Sequence, residues 1–263
     1  MTAVPILLYH QVTPRPHPRF RKYSVTPGAF VRQVRWLARA GYRTVPLETL
    51  RAAREGRAAL PDRPVVLTFD DGFHESAEQA VPILEEHGFV ATFFLVAGLA
   101  GGTSRWLAGE RGIELPLFGW AEARRLEERG FRCGVHTLTH PRLAELPAAA
   151  CRRELAESRR LMEDQLGRPV RELAYPFGSF SPEVREIAAE AGYQTACSSR
   201  PGLSPAEDDP LALCRIPIEG GDSLLDFACR LRTGRTVRQD IERRAKGVWR
   251  RLRREGWDAG RAQ

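Results

Sequence analysis

Short apolar runs alternate along this chain with longer amphipathic stretches, and that alternation predicts its architecture. The apolar runs cover residues 6–9, 42–45, 65–69, 91–96, 132–136, 172–175, 195–198 and 213–218. Each has the length of a strand and not of a helix. The stretches between them carry helix punctuation. One begins at Pro27, with Thr26 placed to cap it, and stops at Gly41; a second runs over 74–87 and stops at Gly88. Three more cover 120–129, 147–166 and 182–191, and stop at Gly130, Gly167 and Gly192. Proline near a helix start and glycine after its end are the expected asymmetry. Repeated strand–helix units predict a parallel sheet, doubly wound or closed into a barrel. The stretch from 98 to 119 shows no periodicity and reads as an insertion or lid-like loop.

Composition narrows this picture. At 263 residues the chain can bury one full-sized core, and no apolar stretch is long enough to span a membrane. Residues 4–9 have neither a basic segment before them nor a small-residue cleavage site after them, so they read as a core strand and not a signal peptide. The five cysteines are scattered, with no C-x-x-C pair, which argues against a disulfide framework and for a reducing cytoplasm. The net charge of +7 is uneven: from Arg230 to Gln263 there are 12 basic and 4 acidic residues, and elsewhere 28 basic and 29 acidic. A neutral body argues against a nucleic-acid partner. The expected organisation is a barrel over 1–230 and a basic helical tail over 231–263. Within the tail, Val237, Ile241, Ala245, Val248 and Leu252 make one narrow apolar stripe. The stripe either packs on the barrel or, with Trp249, lies in an anionic membrane surface.

The chemistry sits at strand ends. Thr68-Phe69-Asp70-Asp71-Gly72 follows one apolar run, and His136-Thr137-Leu138-Thr139-His140 follows another. Alone, Asp-Asp-Gly also suits a helix cap, and two histidines four apart suit an exposed surface. Together, one Asp and two His form a three-ligand site for a divalent metal, with a position left for water. The spare Asp can then act as a base. His10 ends the first run, and Pro176-Phe177-Gly178 follow another. In a β/α barrel all these ends open on one face, where catalytic groups gather.

Those segments resemble the first two motifs of carbohydrate esterase family 4, the polysaccharide deacetylases with a NodB-homology domain. The resemblance implies that Asp70 is the general base and that Asp71, His136 and His140 bind the metal. The metal expected is Zn2+, with Co2+, Ni2+ or Mn2+ as substitutes. The family's groove motif corresponds to Ala174-Tyr175-Pro176-Phe177-Gly178, which implies substrate contacts from Tyr175 and Pro176 and an oxyanion donor in the Phe177 backbone N–H. Ala174 stands where the family has an arginine, which leaves open what orients Asp70; Arg215 is one substitute. The family's late Leu-x-His motif appears here at the start, as Leu8-Tyr9-His10. That is similar to the circularly permuted branch, which includes poly-N-acetylglucosamine deacetylases, and it implies that His10 is the general acid and that Leu8 lines the acetyl pocket. The family's tryptophan-bearing motif has no clear match. The implied fold is a distorted (β/α) barrel of seven or eight parallel strands. The implied reaction is metal-dependent removal of acetyl groups from an N-acetylhexosamine glycan. An O-acetyl esterase and an idle glycan-binding module are the alternatives. The expected location is the cytoplasm, including the inner face of the membrane.

Overall fold

A computed structural model describes residues 3–242 of the chain. The first half contains β1 (Ile6–Tyr9), β2 (Gln11–Val12), β3 (Ser24–Val25), α1 (Pro27–Arg39), β4 (Arg43–Thr44), α2 (Leu47–Arg54), β5 (Pro64–Phe69), α3 (His74–Glu85), β6 (Thr92–Leu95), α4 (Arg105–Arg111) and α5 (Trp120–Glu128). The second contains β7 (Arg132–Val135), α6 (Ala148–Leu166), β8 (Glu172–Ala174), α7 (Pro182–Glu190), β9 (Thr195–Pro201), β10 (Leu213–Pro217) and α8 (Leu224–Thr233).

β1 pairs in parallel with β10 on one side and with β5 on the other. β5 to β10 pair in sequence order, so seven parallel strands close a ring, and β4 lies along the start of β5 as an eighth. The expected barrel is therefore present. The helices begin and end as their punctuation predicts. Thr26 accepts a hydrogen bond from the Ala29 amide and starts α1, which buries Phe30, Val34 and Leu37 at helical spacing. Gly167, at φ 68°, ends α6.

Side chains alternate across a strand, and this sorts the core into two layers. Ile6, Val66, Phe94, Ala174, Cys197 and Leu213 point into the barrel and pack with Leu47 and Leu50 of α2. Leu7, Tyr9, Leu67, Phe69, Phe93, Leu95, Leu173 and Ile216 point outward, beneath the helices. A methyl group on Gly134 would meet the Phe94 ring at 2.6 Å, so the ring fills the space that this glycine leaves. Continued by two-residue steps, the inward rows reach His10 from Leu8, Asp70 from Thr68, and His136 from Gly134.

Three helices lie where none was expected. α2 carries Leu47, Leu50 and Ala53 to the end of the barrel opposite Asp70. α4 occupies part of the 98–119 segment. α8 crosses the expected boundary between barrel and tail at 230/231, and buries Phe227, Arg230 and Leu231. Most of the expected tail helix, residues 243–254 with Trp249, lies outside the described residues. Among the described residues, no helix is long and apolar enough to cross a membrane.

Candidate active site

The two adjacent aspartates have different surroundings. Asp70 continues the inward row of β5, and both of its carboxylate oxygens are taken by Arg215. Arg215 Nη1 donates to Oδ1 at 2.7 Å and Nη2 to Oδ2 at 2.6 Å. Arg215 comes from β10 and is fully buried. It also donates from Nε to Ser198 O at 2.9 Å and from Nη1 to Thr68 Oγ1 at 3.1 Å. Burial by itself would raise the pKa of Asp70. The charges of Arg215 and His136, and the hydrogen bonds from Arg215, outweigh it and hold the carboxyl below the usual range. Arg215 thus stands beside Asp70 where Ala174 provides no charge.

Asp71 would face outward by strand alternation. Its φ of 75° turns it back toward the barrel axis. Its Oδ1 then lies 3.4 Å from His136 Nε2 and 3.2 Å from His140 Nε2. The ligand atoms of Asp71, His136 and His140 all lie within 4.8 Å of one another, and all three residues are buried. Despite burial, the two imidazoles hold the Asp71 carboxyl far below its ordinary range.

His136 is fixed from behind. His136 Nδ1 lies 2.7 Å from Ala174 O, a group that only accepts, so this nitrogen carries the proton. In its neutral form the ring turns a bare Nε2 lone pair toward a carboxylate oxygen. That arrangement suits a cation between them, and a hydrogen bond behind the ligating nitrogen is the usual support of a metal-bound histidine. His136 has a raised pKa because the charges of Asp70 and Asp71 more than offset its burial, whereas burial lowers that of His140. Both carboxylates therefore draw positive charge to this point. The residues present fit a divalent metal.

The loop that carries His140 is strained. Asp71, Thr137, His140 and Phe177 are the non-glycine residues with positive φ among the described residues, at 75°, 65°, 68° and 58°. For a β-branched residue such as Thr137 this is a true outlier, and such strain collects at functional sites. Glu154 of α6 holds the loop: it accepts from the Leu138 and Thr139 amides at 2.9 and 3.0 Å and from Thr139 Oγ1 at 2.6 Å. Thr137 Oγ1 accepts from the His140 amide at 3.0 Å.

Asp70, Asp71, His136 and His140 line a cavity of about 340 Å³ that also takes in Leu8, His10 and Phe177. The His10 ring packs at 5.1 Å from Tyr23, and burial lowers its pKa while Asp71 and Asp70 raise it in part. Tyr175 and Pro176 do not line the cavity, contrary to the expectation from the sequence. Tyr175 shares the outward face of Leu173. It stacks on Phe180 at 4.9 Å and donates its hydroxyl to Leu211 O. Pro176 is buried beside it.

Several cavity residues gave no sequence signal. Trp106 of α4 stacks on His140 with centroids 4.3 Å apart, and Phe177 meets the same ring edge-on at 4.7 Å. Arg142 lies 3.9 Å above Phe177 and pairs with Glu110 at 3.1 Å.

The polysaccharide deacetylase family model matches residues 57–196. That span holds Asp70, Asp71, His136, His140 and Tyr175, and excludes His10 and Arg215. YxkH of Bacillus subtilis is 26% identical over 222 residues, which are 84% of this chain and 73% of YxkH. The Staphylococcus aureus poly-β-1,6-N-acetyl-D-glucosamine N-deacetylase is 24% identical over 200 residues, 72% of this chain and 66% of that protein. The structure of Streptococcus pyogenes deacetylase PplD in complex with acetate is alike with a TM-score of 0.76 at 23% identity, over 87% of this chain and 98% of PplD. At that identity the likeness is one of fold.

Proposed function

The chain belongs to the polysaccharide deacetylase family, and from that we propose that it hydrolyses the acetamide of N-acetylated amino sugars with a bound divalent metal, releasing acetate. The observation that carries this reading is the division of labour between neighbouring carboxylates. Asp71 Oδ1 faces two imidazole nitrogens, while Asp70 has both oxygens bound to Arg215.

Asp71, His136 and His140 would hold the metal, most naturally Zn2+ given two imidazoles and one carboxylate. When bound, the metal supplies Lewis acidity that activates water and polarises the acetamide carbonyl. Asp70 is kept ionised by Arg215 and takes the proton of the attacking water. The Phe177 backbone N–H assists the developing oxyanion, with φ 58° turning that peptide. His10 gives a proton to the departing amine, and a proton held weakly by a buried imidazole passes readily to it. Leu8 and Trp106 supply apolar wall beside the acetyl group.

Acetate release from N-acetylglucosamine oligomers tests the reading. Release should stop on chelation and return with Zn2+. Release that survives exhaustive chelation, or turnover of O-acetylated xylan alone, would overturn it. His10→Ala should lower kcat by roughly 10²–10⁴-fold, the span of acid–base groups, while metal content stays unchanged. Near-normal kcat in a folded His10→Ala protein would remove His10 from the mechanism.

A further inference from the structure

The charges around the cavity are balanced, with one exception. Lys22 pairs with Glu219 at 3.4 Å and Arg142 with Glu110 at 3.1 Å. Asp70 has Arg215, and Asp71 has the two histidines. Arg111, on the same wall, has no carboxylate partner among the described residues. Its guanidinium lies 4.9 Å from the Tyr23 ring centroid and 5.8 Å from that of Phe20. Nη1 donates to Arg19 O at 3.1 Å, and Arg19 returns a bond to Arg111 O at 2.9 Å. Two rings and one carbonyl thus hold the guanidinium in place and leave most of its five N–H donors unused. A neutral glycan offers such a group hydroxyl acceptors but no opposite charge. A fixed guanidinium fork matches the paired oxygens of a carboxylate or a phosphate.

We infer that the substrate carries an oxyanionic group, a carboxylate or phosphate on or next to the acetylated sugar, and that Arg111 receives it while the acetamide lies at Asp70. This rests on the deacetylase reading for the second half of the statement only, because binding requires no turnover. Titration calorimetry on the full chain compares three probes: N-acetylglucosamine 1-phosphate, a disaccharide of N-acetylglucosamine and glucuronic acid, and a neutral N-acetylglucosamine disaccharide. At low salt one of the two anionic probes should bind roughly tenfold tighter than the neutral one, and which does so separates phosphate from carboxylate. The preference should shrink at about 0.5 M sodium chloride. Arg111→Gln should erase it, and Arg111→Lys should retain part of it. Equal binding of all three probes by the unaltered protein, with no response to salt, overturns the inference, as does an undiminished preference in a folded Arg111→Gln protein. An anionic probe bound through Arg111 with no acetate released from any substrate would instead sink the deacetylase reading and leave this one standing.

Discussion

Asp70→Asn protein should bind a divalent metal as the parent does and release acetate roughly 10²–10⁴-fold more slowly, or not measurably. The reason is geometric. Arg215 holds both Asp70 oxygens, and Asp70 Oδ2 is 4.0 Å from His136 Nε2, farther than Asp71 Oδ1 at 3.4 Å. In the proposed mechanism Asp70 is therefore the proton acceptor and not a ligand. Asp71→Ala, His136→Ala and His140→Ala each remove one of three converging ligand atoms and should purify with little metal. Elemental analysis of the four variants beside acetate release checks both halves. A metal-free Asp70→Asn protein alongside a metal-replete Asp71→Ala protein would reverse the two assignments.

Arg215→Met should be the most destabilising single change at the site. Arg215 has no exposed surface and Asp70 is 3% exposed, so the substitution strands a carboxylate in the barrel. Breaking a buried pair from one side costs about 3–5 kcal/mol. For a domain of this size that lowers Tm by on the order of 10 °C. Asp70 would escape the cost by taking up a proton, so activity at neutral pH should fall as well. Adding Asp70→Asn to Arg215→Met should restore part of the lost stability without restoring turnover, because the stranded charge is gone. Calorimetric melting of the single and double variants decides the matter. A loss below about 1 kcal/mol for Arg215→Met would show that water reaches Asp70 and that the pair is no structural necessity.

The barrel was legible because its strands are short apolar runs separated by helix punctuation, and local sequence determines such runs. Asp70, His136 and His10 were legible for the same reason: each extends an inward row by one step of two. Ala174 showed that the usual arginine was missing, but nothing local to β10 marked Arg215 as its replacement; only the fold brings the two strands together. What stayed hidden depends on tertiary contact. α4 has seven residues and no side-chain cap, too little for a periodic signal, so Trp106 and Arg111 read as loop residues. Glu154 looks like any solvent-facing acid of a long helix, and only the fold brings it to the Thr137–Thr139 backbone. Tyr175 was misplaced because an aromatic at a strand end can face either way. Its position one step from Ala174 puts it with Leu173, under the helices.

β1 is the first barrel strand to be synthesised and β10 the last, yet Leu7 stands in register with Ile216. Contacts between such distant parts of a chain form late in folding, after the local ones. Before β10 emerges from the ribosome, β1 can pair with β5 alone, and Asp70 has no counter-ion. A carboxyl enclosed without one favours its protonated form, in which it cannot accept a proton from water. Closing the barrel and supplying the Asp70 counter-ion are thus a single event. A chain that ends before Arg215 lacks the one guanidinium that binds both Asp70 oxygens, and has nothing to hold that carboxylate ionised inside a closed barrel.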